Sequence, residues 1–159
     1  GLCTGYNLLE ECKVDIMDLS NLDTSNMDSM KNMFKDSSAK SIILNNFNTK
    51  NVDNMATMFY NCVTSHLDLR HFDVSNVEDF RYMFERATIL TINLSGWKIN
   101  RRYDLDGMFF CCRSKKIILN DFLDDRIKLD SGTSSFIFYA CKDVVETNHS
   151  ELLKILNNE

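Results

Sequence analysis

The sequence repeats itself every 25 residues, and this period constrains the fold more than any other feature. The first full copy runs from Met17 to Ser41. Each copy opens with an aliphatic residue, has Leu two positions later and has a large, mostly aromatic residue three positions after that. The three columns are Met17, Ile42, Leu67, Ile92 and Ile117; Leu19, Leu44, Leu69, Leu94 and Leu119; and Leu22, Phe47, Phe72, Trp97 and Phe122. A fixed period of this length is typical of a solenoid or propeller, in which each copy buries its apolar side against the next.

The two halves of the repeat differ in apolar spacing. In the first half apolar residues alternate, which predicts a short strand with one buried face. In the second half the spacing of Met27, Met30, Met33 and Phe34 predicts a short helix. The preceding Ser25-Asn26 pair has residue types that cap helices. We therefore predict an α/β solenoid of about five coils, with a parallel sheet on one side, short helices on the other and a C-terminal capping helix.

The repeat also divides the chain. We predict one solenoid domain over 1–159, and its parts are a partial N-terminal coil (1–16), four repeats (17–41, 42–66, 67–91 and 92–116), a divergent repeat (117–145) and a capping helix (149–158). The divergent repeat keeps its register only after a four-residue insertion around 128–134. Ser150 suits the start of the capping helix, whose predicted apolar face is Leu152, Leu153, Ile155 and Leu156.

Composition excludes some classes of function. The net charge of -5 has the wrong sign for a general nucleic-acid binder, so nucleic acid is expected as a partner only indirectly. No apolar run approaches the roughly 18 residues that a membrane-spanning helix needs, so no membrane insertion is predicted. A basic start followed by an apolar stretch is not present, so no signal peptide is seen.

One column is filled by small side chains. It contains Cys12, Ser37, Cys62, Ala87, Cys112 and Cys141. Such a column indicates tight turns, and buried thiols behave there as small apolar groups. A bridge between Cys112 and Cys141 stays open as an alternative because their coils are adjacent. The vicinal pair Cys111-Cys112 does not match a zinc pattern, so no metal site is predicted.

Three nearby positions of the repeat carry oxygen side chains, and together we call them the oxygen column. Its members are Asp23, Asn26, Asp28, Asn48, Asn51, Asp53, Asp73, Asn76 and Glu78. Stacked oxygen ligands suit Ca²⁺, but a helix cap followed by a turn needs the same residue types and is the preferred interpretation.

Other candidate chemistry is also explained by packing. The methionines Met33, Met58, Met83 and Met108 share the apolar position of the second half and are predicted to be core. Of the three histidines, His66, His71 and His149, the first two lie near the ends of one predicted strand and are predicted to be exposed on its face. The repeat places no nucleophile beside them, and there is no glycine-rich phosphate loop. We predict a non-enzymatic protein without a cofactor.

Two surfaces are left for a partner. Residues that alternate with the buried strand positions are expected on an exposed strand face, and the candidates there are Ile43, Asn45, Asp68, Arg70, His71 and Asn93. Ile43 and Ile118 are expected to be exposed apolar side chains. The second surface is the fourth coil (92–116), where six basic residues against two acidic ones give +4 and leave -9 for the rest of the chain. Its candidates are Arg101, Arg102, Lys115 and Lys116.

The repeat resembles that of the BspA-like leucine-rich-repeat surface proteins and the closely similar mycoplasma domain of unknown function. The residues that carry the resemblance are Leu19 to Met27 with Met30, Met33 and Phe34, and Leu67 to Leu69, Phe72 to Val77, Met83 and Phe84. The match covers about 9–141, and copy four departs from it at 98–102. The resemblance implies a leucine-rich-repeat-like fold, no catalytic residues, a surface or secreted location and a virulence or host-interaction role.

These observations predict a protein-protein interaction module that binds a macromolecular partner through the strand face, the basic coil or both. The alternative is a small inhibitor or decoy that blocks a nucleic-acid enzyme or a host protein. A cytoplasmic location is the alternative to the surface, because no signal peptide is seen and the cysteines are unpaired in the sequence pattern. Oligomeric state is left open.

Overall fold

The computed structural model describes residues 3–99, 103–127, 129 and 136–157. Within these residues the chain forms very short strands, joined by turns, and one α-helix, α1, over Ser150–Asn157. The strands are β1 Cys3–Thr4, β2 Ile16–Asp18, β3 Met27–Ser29, β4 Ser41–Ile43, β5 Val63–Thr64, β6 Thr88–Ile89, β7 Thr91–Asn93, β8 Lys116–Ile118 and β9 Val145–Glu146. A 3-10 turn spans Lys142–Val144. All pairs between these strands are parallel.

The pairing register equals the sequence period. Met17 of β2 lies opposite Ile42 of β4, and Ile92 of β7 lies opposite Ile117 of β8. Isolated parallel bridges continue this register from Asn54 to Asp79 and on to Asp104. Each copy is therefore one hydrogen-bonded layer on the next, which confirms the predicted parallel strands. Short parallel strands in small sheets, with one C-terminal helix, are consistent with a repeat solenoid.

The predicted short helices are wrong. Residues 30–37 form successive turns, in which Met33 donates its N–H to the Met30 carbonyl and Ser37 donates to that of Phe34. Asn32 and Asp36 have left-handed backbone angles (φ 59° and 56°), which an α-helix cannot contain in series. The equivalent residues of the next copies share this conformation: Thr57, Asn61, Tyr82, Arg86, Gly107 and Cys111.

The freed backbone groups bond between coils. Phe34 donates its N–H to the Met58 carbonyl at 2.9 Å, and Phe59 donates to that of Met83 at 2.9 Å. A helix would satisfy these donors within its own turn. Here the carbonyl groups of the next layer accept these bonds, while the same apolar residues still point inward. Stacked turns therefore form instead of helices, and we call this arrangement the turn ladder.

The predicted helix caps are wrong for the same reason. Ser25 and Ser75 do not start helices. Their N–H groups donate to the side chains of Asp23 and Asp73 at 2.9 and 3.0 Å, which are local Asx turns. Three residues after Asn48, the Asn51 side chain donates to the Ser25 carbonyl of the preceding coil. The oxygen column therefore stabilises turns and connects neighbouring coils by hydrogen bonds.

A stack of phenylalanines forms the centre of the core. Consecutive rings of Phe34, Phe59, Phe84, Phe109 and Phe138 lie 5.1, 5.5, 5.4 and 5.6 Å apart between centroids and are nearly parallel. All five side chains are fully buried or nearly so. The methionine column predicted as core is confirmed, since Met33, Met58, Met83 and Met108 are fully buried. Leu19 and Leu22 of the first copy are only partly buried, so the core thins towards that end.

The divergent repeat is shifted by four residues. Phe84 donates its N–H to Met108, 24 residues on, whereas Phe109 donates to Ile137, 28 residues on. The predicted position of the insertion (128–134) lies, apart from Leu129, outside the described residues. The predicted C-terminal helix is confirmed by α1. Its predicted apolar face is wrong at Leu153, which is 41% exposed, whereas Leu152 is fully buried.

Candidate interaction surfaces

An open groove of about 520 Å³ lies on the strand side of the middle coils. We call it the strand-face groove. Its lining is Ser41, Ile42, Ile43, Leu44, Asn45, Ser65, His66, Leu67, Asp68, Arg70, Leu90, Thr91 and Asn93. The parallel register of successive copies places equivalent residues side by side, which is why residues far apart in sequence meet here. Five residues predicted for the strand face, Ile43, Asn45, Asp68, Arg70 and Asn93, line this one groove.

The apolar anchor of this groove is less exposed than predicted. Ile43 and Ile118 were both expected to be exposed, and both are half-buried. Each lies in a strand whose preceding residue is in the core, and neighbouring layers cover part of its side chain. Ile43 thus presents a limited apolar area beside the polar side chains of Asn45 and Asn93.

Two charged residues of the strand-face groove, Asp68 and Arg70, form an ion pair through two hydrogen bonds. Arg70 donates from Nε and Nη2 to the two carboxylate oxygens of Asp68, at 3.0 and 2.7 Å. This hydrogen bonding from Arg70 lowers the pKa of Asp68 to about 2. Both side chains are more than half exposed, so the pair adds little stability and a partner can replace either member.

His71 does not join the groove. Its Nε2 lies 3.0 Å from the Leu44 carbonyl oxygen, and its ring meets Phe72 edge-on at 5.1 Å. The structure therefore uses this exposed histidine to connect two coils and separates it from the other strand-face candidates.

The basic fourth coil does not gather into one patch among the described residues. Arg101 and Arg102 lie outside them. Lys116 is paired with Glu146 at 2.8 Å, so part of its charge is balanced by the next coil. Lys115 lies instead in a second groove, together with Arg113.

This second groove has a volume of about 460 Å³ and follows the bend that precedes each strand. We call it the bend groove. Its lining is Val14, Asp15, Ser38, Ala39, Lys40, Val63, Thr64, Ser65, Thr88, Ile89, Leu90, Arg113 and Lys115. It shares Ser65 and Leu90 with the strand-face groove. This groove was not predicted from the sequence, although apolar Val63 among the polar residues of its column is a signal that could have found it.

The cysteine column is packed and unreactive. Cys62 is fully buried, and burial raises the pKa of its thiol to about 11. Burial likewise raises the pKa of Cys141 to about 12. The thiols are therefore protonated at neutral pH and poor nucleophiles. Cys112 and Cys141 are not bridged, and the Cys141 thiol donates to the Phe109 carbonyl at 3.2 Å. Cys12, at the thin end, is only partly buried.

The oxygen column and the histidines were also candidates for metal or catalysis. Over the described ranges, no three His, Cys, Asp or Glu side chains are grouped so that they could hold a metal ion. Hydrogen bonding by the Ser25 hydroxyl and backbone lowers the pKa of Asp23, as expected for a turn carboxylate. His149, which directly precedes α1, is buried, with Nε2 3.3 Å from the Asp124 carbonyl oxygen. Packing of α1 on the last coils covers it.

No helix in the described part of the chain has the length and apolar character needed to cross a membrane. The family described as Mycoplasma protein of unknown function, DUF285, matches residues 6–122 of the chain. Neither the curated proteins nor the solved structures include a significant match.

Proposed function

Since the chain belongs to the DUF285 family of mycoplasma proteins of unknown function, we propose that it is a BspA-like, leucine-rich-repeat-like solenoid and acts as a non-enzymatic protein-interaction module. The observation that carries this proposal is the meeting of five predicted strand-face residues in one open groove. The partner is a protein, and the strand-face groove is its main contact.

The groove has the mixed chemistry of a protein-binding surface. Ile43 supplies a partly covered apolar anchor, while Asn45 and Asn93 supply amide donors and acceptors around it. The exposed ion pair of Asp68 and Arg70 offers both charges in a fixed, planar arrangement. Interfaces derive most of their affinity from a few such central residues, with polar neighbours that set orientation.

The underlying scaffold supports a binding role. Most residues that recur from copy to copy pack in the Phe stack or the Met column or form the turn ladder, so they are not available to a partner. The outward residues of the strand side differ between copies, and a stack of layers presents them at regular spacing. Repeat proteins use such surfaces to bind other proteins.

The test is site-specific photocrosslinking followed by direct binding. A photoreactive residue replaces Asn45 in one variant and the exposed Asp121, outside the groove, in another. A partner captured only from the first position is then purified and titrated against Ile43→Ser/Arg70→Ser. We expect its affinity to fall at least about tenfold, as for loss of an anchor and a charged contact. His71→Ser is the matched control, since His71 is exposed nearby but does not line the groove; unchanged binding by the double variant contradicts the proposal.

A second proposal is an inhibitor or decoy that blocks a nucleic-acid enzyme or a host protein. It is supported by the exposed Lys98, Arg113 and Lys115, which form no ion pair with another described residue. Its test replaces Arg101, Arg102, Lys115 and Lys116 with Ser. Inhibition retained by this variant would exclude the basic coil as the inhibitory surface.

We also propose a surface or secreted location, by family resemblance, with the cytoplasm as the alternative. Unpaired Cys62, Cys112 and Cys141 are compatible with both, because their burial protects them from oxidation. Protease accessibility of the native protein on intact cells distinguishes the two locations.

A further inference from the structure

We propose that the bend groove is a second binding site, and that its ligand is an extended acidic peptide segment carrying apolar side chains. This site is independent of the strand-face groove, although the two meet at Ser65 and Leu90.

The groove has exposed apolar side chains that the core does not use. Val63 and Leu90 are each 47% exposed, and Val14 is 44% exposed. Val63 belongs to β5, which is held by its parallel pair with β6, so its exposure is fixed by the backbone. Apolar side chains that converge on one groove, unlike single ones scattered over a surface, indicate a contact area.

The charge of the groove is opposite to that of the chain. Lys40, Arg113 and Lys115 line it against the single carboxylate of Asp15, which gives +2 in a protein of net charge -5. The Lys40–Asp15 contact is 3.3 Å, but both side chains are about four-fifths exposed, so the pair is weak. Arg113 and Lys115 have no ion pair with any other described residue.

These two cations select a carboxylate-bearing ligand. A guanidinium group binds a carboxylate through two parallel hydrogen bonds, and an ammonium group adds a second, less directional contact. Both lie at the same end of the groove, on the coil after Leu90. An acidic segment that lays its apolar side chains over Val63 and Leu90 brings its carboxylates to Arg113 and Lys115.

The dimensions suit an extended chain. The bend residues Asp15, Lys40, Ser65, Leu90 and Lys115 belong to five successive layers. With layers 5.1 to 5.6 Å apart at the Phe stack, the groove is roughly 20 Å long, which about six residues of extended peptide span. Described residues of the lining include no aromatic ring on which a base could stack, which favours a peptide over single-stranded nucleic acid.

The experiment is selection from a displayed library of short peptides in which Val or Ile alternates with randomised positions. The baits are the full chain, the groove variant Arg113→Ser/Lys115→Ser and the control Lys50→Ser/Arg86→Ser, which removes one Lys and one Arg at exposed sites outside both grooves. We expect Asp and Glu to be enriched on the full chain and the control, and the enrichment to disappear on the groove variant.

Selected peptides are then titrated in solution. Affinity should fall about tenfold for Arg113→Ser/Lys115→Ser, as expected when charge-assisted contacts at a partly exposed surface are lost. It should also fall for Val63→Thr, which keeps the shape of Val63 but makes it polar, and it should weaken as salt is raised. Absence of acidic enrichment, equal loss in the control variant, or tighter binding of a single-stranded oligonucleotide at the same residues would overturn the proposal. Thermal unfolding of each variant verifies that the fold is intact.

Discussion

The two sides of each coil differ in what their residues do. On the turn side (30–37, 55–62, 80–87 and 105–112), inter-coil hydrogen bonds and stacked Phe rings repeat almost unchanged from copy to copy. On the strand side (41–45, 66–70 and 91–95), the inward residues repeat while the outward ones change from Ile43 to Asp68 to Asn93. We therefore expect the turn side to contribute most to stability, and we propose the strand side as the binding surface.

The largest expected effect is on the turn side. Phe84 is fully buried between Phe59 and Phe109, at 5.5 and 5.4 Å. Phe84→Ala should lower the free energy of unfolding by about 3–5 kcal/mol because it opens a cavity in the stack. Urea unfolding followed by circular dichroism measures this. Phe72→Ala is the reference and should cost less, because Phe72 lies in the second aromatic column, just after strand-side residues 66–70, and has a single stacked neighbour at 6.1 Å. Equal losses would remove the distinction between the two sides.

Gly107 tests the turn ladder itself. It has a left-handed φ of 59°, and a Cβ there would clash with the Tyr82 ring. Gly107→Ala should lower the free energy of unfolding by roughly 1–3 kcal/mol, because the backbone is strained and the ring must move. Combining it with Tyr82→Ala should recover the steric part only. A neutral Gly107→Ala would mean that this turn is not constrained.

A stabilising change is expected at Thr57. This β-branched residue has a left-handed φ of 54°, a conformation that Asn tolerates better. Thr57→Asn should raise the free energy of unfolding by about 0.5–1 kcal/mol. The new amide can donate to Asn32, as Asn61 donates to Asp36 at 2.8 Å in the neighbouring column. Thermal unfolding against the wild type measures the gain, and a loss would show that the Thr57 hydroxyl contact with Asn32 outweighs backbone strain.

The smallest effect is expected on the strand side. Arg70 lowers the pKa of Asp68 from 3.8 to about 2. Because the folded pKa is the lower one, the pair stabilises the fold above pH 3.8, and this contribution is lost as the pH falls towards 2. Both groups are more than half exposed, so Arg70→Ala should change the free energy of unfolding at neutral pH by less than about 1 kcal/mol. Unfolding curves should converge for the two proteins at low pH; a large difference at neutral pH would give the strand side a structural role.

Much of the stacking could be predicted from the sequence, because a strict period fixes register. Met17, Ile42 and Ile92 were placed correctly in parallel strands, and the Met column was placed correctly in the core. The helices were wrong because an apolar spacing of three and four residues also fits successive turns. Polar residues at Asn32, Asp36 and Asn61 signal left-handed turns, but Thr57 and Tyr82 hide that signal in the next copies.

The candidate surfaces were only partly predictable. Alternation along the strand places Asn45, Asp68 and Arg70 on one face, and the structure brings them into one groove. Alternation does not show that His71 turns back to the Leu44 carbonyl or that Lys116 pairs with Glu146. The bend groove was not predicted because the bend residues that line it were given no role, although apolar Val63 in a polar column indicates it. The division into coils and the partner residues themselves stay predictions.

The single Trp has a consequence for folding fidelity. Near-identical layers allow a whole-copy slip, in which one coil stacks on the wrong neighbour and a copy is looped out. Trp97 donates its indole N–H to the Leu69 carbonyl at 3.0 Å, a bond that the Phe residues of the same column cannot make. This hydrogen bond therefore distinguishes the interface between the third and fourth copies from the other interfaces, and it favours the correct stacking register. Trp97→Phe retains an aromatic ring but loses this hydrogen bond, so we expect more molecules to refold with a copy looped out. Refolding as uniform as in the wild type would show that other residues set the stacking register.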